Sequence, residues 1–249
     1  MSLLAVLAVL VAGLLAGAVN AVVGSGGLIT FPILLSLGFS PVVANVSNTV
    51  GMSVGNLGAV IGYRRELRGQ LPRLQSLGGP AIAGSAIGAV LLLLLPQRVF
   101  NAVVPVLIVV AVGLVIAQPW LAKRVQRHGS NRWQAVALRV GVFLNAIYGG
   151  YFGAAQGVIL VSLLAVVLAD SLQHINALKN AIIMLVNGTA AILFLFIAHI
   201  SWEPAFLLAV SSIIGGRVGT SLGRRLSPVT LRAFIVLAGL ATVVKLLAR

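Results

Sequence analysis

Six asparagines recur at matched spacings in two otherwise apolar segments, Asn45, Asn48 and Asn56 in the first and Asn176, Asn180 and Asn187 in the second. Eleven residues make about three helical turns, so the members of each set share a face of their helix. An amide placed among apolar neighbours is costly unless it meets protein or water. Its NH2 group can donate to an oxyanion. Hydrogen bonding between helices is the plainer use of the same residues, and the two uses are compatible.

Two glycine clusters stand ahead of short apolar runs. One is Gly24, Ser25, Gly26 and Gly27; the other holds Gly149, Gly150 and Gly153, then Gln156 and Gly157. Glycine allows unusual dihedrals and close backbone approach. Where such a turn opens a helix inside the protein, the free N–H groups and the positive dipole end make a site for an anion. Lys179 and Arg217 fall near the expected cytoplasmic ends of their helices. There a basic side chain ordinarily snorkels to the headgroups; the sharper reading is that one of them draws anions into an inner vestibule. His128, His174 and His199 have no paired ligand spacing, and no Ser, His and acid arrangement presents itself, so neither a metal, a cofactor nor catalytic chemistry is expected.

The elements that carry these residues follow from composition. Of 249 residues 60% are hydrophobic and 8% charged, where a soluble domain has about 25% charged. Runs such as 3–23 and 99–117 approach the ~20 apolar residues that cross a ~30 Å hydrocarbon core. Met1 and Ser2 put no basic residue ahead of the first run, which reads as a mature membrane segment and not as a secretory signal. The chain has no cysteine and a net charge of +14, with Glu66, Asp170 and Glu203 as its acids. In a membrane protein that excess reads as basic loops on the cytoplasmic side, with no nucleic acid implied. Trp120, Trp133 and Trp202 flank apolar segments as interfacial anchors.

A weak internal repeat orders the rest. Gly24 recurs as Gly153, Asn45 and Asn56 as Asn176 and Asn187, Pro72 as Pro204, Gly84 as Gly215 and Ala102 as Ala233, a shift of 129 to 132 residues each time. The reading is a first membrane repeat over 1–119, a basic cytoplasmic linker over 120–138 and a second repeat over 139–249. Each half has five helical segments, at 3–23, 28–37, 42–62, 74–95 and 99–118, and at 136–152, 157–169, 176–198, 204–222 and 228–247. The second of each set is too short to span, so it is expected to be re-entrant or broken and paired with its predecessor. The basic connections 63–73 and 123–139 belong in the cytoplasm, and the turn at 96–98 and the connection 199–203, which lacks Lys and Arg, on the other side. The fold class is therefore an all-α polytopic membrane protein of two inverted-topology repeats, a recurrent plan of secondary transporters with a site near the midplane.

The GSGG turn followed by LITFPILLSLG, a helix ending in IGYRREL and the string YGGYFGAAQGVILVSLLAV together resemble the TauE/SafE family of sulfite exporters over nearly the whole chain. The resemblance implies a bacterial inner-membrane protein that exports sulfite, sulfoacetate or related small anions. One departure is that Ala154, Ala155 and Gln156 stand where the family often has three glycines. The partners expected are a small anionic substrate and the lipid bilayer, with a homodimer left open. An anion channel, or a structural membrane subunit without transport of its own, is the alternative.

Overall fold

The computed structural model describes residues 1–124, 132–168 and 170–222. These form helices α1 (Leu3–Val22), α2 (Gly27–Ser36), α3 (Pro41–Gly62), α4 (Leu71–Leu94), α5 (Gln97–Arg124), α6 (Arg132–Tyr151), α7 (Gln156–Val167), α8 (Leu172–Ile197) and α9 (Trp202–Leu222), with no strand among the described residues. The segment expected over 228–247 lies outside them. α4, α6 and α8 begin three or four residues earlier than their sequence patterns suggest, and at α8 a cap and not hydrophobicity sets the start. Ser171 Oγ accepts from His174 N ahead of α8, as Ser40 does from Val43 N ahead of α3, with Pro41 at the first position. Helix also continues to Arg124 and resumes at Arg132, so the stretch 120–138 is helical at both ends.

α1, α4 and α8 are long and apolar enough to cross a membrane. The outer surface is apolar, with Phe196 83% and Leu4 78% exposed, whereas most of the asparagines are buried. Large apolar side chains outside and amides inside are what lipid as solvent selects. The described residues form an all-helical membrane protein.

The packing sorts the helices into two parallel sets. Gly17 of α1 meets Ser212 of α9, and Gly51, Gly55 and Gly62 of α3 meet Ala205, Ser212 and Thr220 in turn, so α1, α3 and α9 run the same way. Gly84 and Gly88 of α4 meet Phe143 and Ile147 of α6. Ser85 of α4 donates to Val186 O of α8 at 2.6 Å, and α4, α6 and α8 form the second set. The sets oppose each other. Ser201, past the end of α8, donates to Ser47 near the start of α3 at 2.9 Å, and Gln70, just before α4, donates to His174 O at the start of α8 at 3.0 Å. α2 folds back along α1, with Ile29 and Ile33 beside Leu4, Leu7 and Leu15. α7 likewise folds back along α6, where Gly141 meets Leu163.

Gln70 belongs to a polar clasp between the α3–α4 and α7–α8 connections. Arg73 donates to Asp170 Oδ2 at 2.6 Å, and His174 Nδ1 lies 3.3 Å from Asp170 Oδ1. The Arg73 hydrogen bond holds the Asp170 carboxyl below the usual carboxylate range. At the opposite end of the bundle the Met1 amino group is 3.0 Å from Glu203.

Candidate functional site

The two helix hairpins turn in the same way. At the end of α1, Gly24 takes φ +86° and at the end of α6, Gly153 takes φ +73°, the left-handed region that glycine enters without a Cβ clash. Each glycine N–H reaches back five residues, to Val19 O at 3.2 Å and to Tyr148 O at 3.1 Å. The second turn is further held by the Tyr148 hydroxyl, which donates to Ala154 O. Ala155, one of the alanines that depart from the glycine-rich pattern, has φ +58° and is the one non-glycine at positive φ among the described residues. The turns touch. Gly157 N donates to Gly24 O at 3.0 Å, and neither position has room for a Cβ.

A helix that stops inside a bundle leaves carbonyls that need donors. Here the donors come from the other half of the chain. Asn45 Nδ2 of α3 donates to Tyr151 O at the end of α6 at 3.0 Å. At the end of α1, Lys179 Nζ donates to Asn20 O at 2.9 Å and Ala21 O at 3.0 Å, and Asn180 Nδ2 donates to Ala21 O at 2.9 Å. This corrects the placing of Lys179 near a helix end in reach of headgroups. Its side chain is fully buried, seven residues or about 10 Å along α8, because the broken end of α1 offers it acceptors at the negative pole of a helix.

Beside the touching turns lies a small cavity of about 20 Å³ lined by Asn20, Gly27, Asn48, Thr49 and Met52 from the first half and by Gly149, Phe152, Gly153, Gln156 and Asn187 from the second. That volume holds about one water. Its amides are oriented by neighbours. Thr30 Oγ1 donates to Asn48 Oδ1 at 2.5 Å, and Gln156 Nε2 donates to Asn187 Oδ1 at 2.9 Å. With both carbonyl oxygens engaged, Asn48 and Asn187 keep their NH2 groups for a ligand, and a position next to Gly27 is 3.7 Å from Asn48 Nδ2. Behind them Asn20 Nδ2 donates to Asn56 Oδ1 at 2.8 Å, and Asn56 Nδ2 and Ser25 Oγ are buried with no partner among the described residues. Phe31 of α2 stacks edge-on against Phe152, centroids 5.2 Å apart, and closes one side. The wall thus offers the Asn48 and Asn187 NH2 groups as donors, while Gln156 Oε1 is a buried acceptor with no partner among the described residues.

Of the residues singled out from sequence, Gly27, Asn48, Gly153, Gln156 and Asn187 converge on the cavity. Asn56 stands behind it. Gly24 and Gly157 form the contact between turns. Gly26 N is bonded to Asn20 Oδ1 at 3.4 Å, and Gly157 N to Gly24 O, so these two N–H groups are taken within the protein and do not face the cavity as expected. Asn45, Lys179 and Asn180 serve as caps, and Asn176 offers its carbonyl to Asn180 Nδ2 at 2.9 Å. Asn180 does not line the cavity; Asn187, two turns on, does. The shift of 131 that pairs Asn45 with Asn176 also pairs Asn48 with Lys179, so residue 180 falls on the face turned to α1. Sequence reasoning passed over Asn20 and Thr49. Asn20, a lone amide in the apolar run of α1, carries a signal of its own.

A profile of the family described as sulfite exporter TauE/SafE matches residues 9–246. The chain is 27% identical over 226 residues to a probable membrane transporter protein of Haemophilus influenzae, covering 90% of this chain and 88% of the relative. It is 28% identical over 242 residues to the probable membrane transporter protein YfcA of Escherichia coli K12, covering 94% and 86%. A probable membrane transporter protein, ORF9, of a Sinorhizobium species is 25% identical over 238 residues, covering 96% and 90%. No solved structure matches. With nearly its whole length matched, this chain belongs to the sulfite exporter TauE/SafE family of membrane transporters.

Proposed function

We propose that the protein is a secondary carrier that exports small anions such as sulfite or organosulfonates across the bacterial inner membrane, through a site between two inverted repeats. The observation that carries this reading is the pair Asn48 and Asn187, one from each half, whose carbonyls are engaged and whose NH2 groups are left to one cavity. The inverted plan is supported by direction: α1, α3 and α4 each run opposite to their counterparts α6, α8 and α9. A cavity of about 20 Å³ is too small for a hydrated oxyanion, so the site must widen, opening to one side at a time, before substrate enters. A constriction of that size between the halves favours a carrier over a channel.

Energetics fit a simple scheme. A cell interior ~100 mV negative drives each anionic charge outward with ~2.3 kcal/mol, and no carboxylate is among the groups lining the cavity. Potential alone then drives export.

The test is flux of radiolabelled sulfite, sulfate, sulfoacetate and thiosulfate in proteoliposomes, with and without an imposed potential. Saturable flux with counterflow that responds to potential is expected. Large unitary currents, or flux that follows only a pH gradient, would overturn the scheme. Cysteines introduced at Arg65 and Ser201 should react with an impermeant reagent from opposite sides of the membrane; reaction from one side would sink the inverted plan.

A further inference from the structure

At the end of α3, Arg64 and Arg65 meet Arg217 of α9 around a recess of about 220 Å³ that also includes Gly62, Thr220 and Ser221. All three arginines are exposed, and they come from two separate segments. Guanidinium groups gathered at one recess raise its positive potential and present forked donors that match the oxygens of a phosphate or sulfonate. Thr220 Oγ1 is turned onto Arg217 O at 2.7 Å, which leaves the three arginine side chains and the Ser221 hydroxyl as the recess's polar groups.

A second groove of about 440 Å³ opens on the other side of Arg217, lined by Ile213, Ile214 and Val218 and sharing Arg217 and Ser221 with the first. Ile214 is 51% and Val218 43% exposed. A soluble oxyanion would occupy the recess and leave this groove without a role. One molecule fits both parts: a phosphodiester headgroup joined to an acyl chain. The recess also lies at the end of the bundle that carries the basic connection 63–73, assigned by charge to the cytoplasm, where the leaflet is anionic.

We propose that this composite groove binds an anionic phospholipid, with its phosphate held by Arg64, Arg65 and Arg217 and an acyl chain laid along Ile213, Ile214 and Val218. The site is separate from the central cavity and does not depend on which anion is carried.

The experiment is binding to the full chain in detergent, followed by native mass spectrometry and by thermal melting. The probes are phosphatidylglycerol, phosphatidylcholine of the same acyl chains, inorganic phosphate and the deacylated headgroup glycerophosphoglycerol. Phosphatidylglycerol should bind more than about tenfold tighter than phosphatidylcholine, and Arg217→Gln and the double variant Arg64→Gln/Arg65→Gln should each weaken it by about fivefold per arginine removed. Arg98→Gln removes the same charge from the exposed start of α5 at the opposite end and should change nothing. Ile214→Ser should weaken the lipid alone. Equal binding of glycerophosphoglycerol or inorganic phosphate would make the recess a soluble-anion site and overturn the proposal. Phosphatidylglycerol affinity unchanged in the arginine variants would overturn it too, by locating the lipid elsewhere. The double variant alters exposed residues past the end of α3, so it decides the matter even if Arg217→Gln fails to fold.

Discussion

At the end of α1 two carbonyls are met by Lys179 and Asn180, whereas at the end of α6 Asn45 meets one. Both ends break at a glycine of positive φ, and both are capped by a long helix from the other half. The chemistry differs while the backbone plan is kept. Three hydrogen bonds from two donors, an amino group and an amide, converge on the first end; a single amide serves the second. The Gly24 turn is thus the more firmly tied of the two, and its donors sit one residue from the cavity through Asn20. The Gly153 turn relies on local help from the Tyr148 hydroxyl and on Ala155 held at positive φ. Two walls of one cavity are therefore tied by different chemistry.

The contact between the turns is where the largest effect is expected. Gly24→Val demands a positive φ from a β-branched residue and drives its Cβ into Gly157. Strain and overpacking together should cost about 3 kcal/mol or more, read as a lowered melting temperature in detergent. A variant that melts like the parent would mean that the turns do not meet. Gly26→Leu is no clean alternative, because a Cβ there collides with the Ala16 carbonyl. Gly27→Ala is one: its Cβ has only ordinary contacts, 3.7 Å from Ala154 and Asn48.

Next come the ligand donors. Asn48→Ala and Asn187→Ala should each weaken substrate binding by about 1.5 to 3 kcal/mol, the worth of a hydrogen bond to a charged group, with melting changed far less. If affinity and rate stay normal in the double variant, the amides are interhelical ties only. A smaller difference separates the two caps. Lys179→Met removes two hydrogen bonds, to Asn20 O and Ala21 O, and should destabilise by about 2 kcal/mol, whereas Asn45→Ala removes one and should cost about 1 kcal/mol. Equal losses would remove the asymmetry between the two ends.

The least effect is expected at the clasp. Asp170 titrates below the ordinary carboxylate value of 3.8 because Arg73 bonds its ionised form. Its contribution is present above that value and is lost as pH falls through the depressed one. The pair is partly exposed, so the loss on acidification should be about 0.5 kcal/mol or less. Asp170→Asn should flatten that part of a stability curve and leave the neutral region nearly unchanged.

Much of the fold could be read from hydropathy, because lipid as solvent writes long apolar runs and marks each break with glycine. The convergence of Gly27, Asn48, Gly153, Gln156 and Asn187 was legible for the same reason, as polar and glycine residues are conspicuous against that background. The burial of Lys179 was not. A basic residue seven positions into a helix reads as a snorkelling side chain unless one knows that another helix stops beside it, and only tertiary contacts say that α1 does. The exchange of α4 and α9 between halves was hidden too. Faces of glycine, alanine and serine fit any neighbour closely, so their spacing names no partner.

That exchange has a consequence for synthesis. The small-residue face of α1, Gly13 and Gly17, packs against Ser211 and Ser212 of α9, which are made almost two hundred residues later. At roughly 5 to 20 residues per second the wait is on the order of ten to forty seconds. Through that interval Asn20 and the bare carbonyls at the end of α1 lack Lys179 and Asn180 as well, so the nascent helix must be sheltered by water, by the insertion machinery or by early contacts later given up. A helix made early is packed only when a helix made much later arrives.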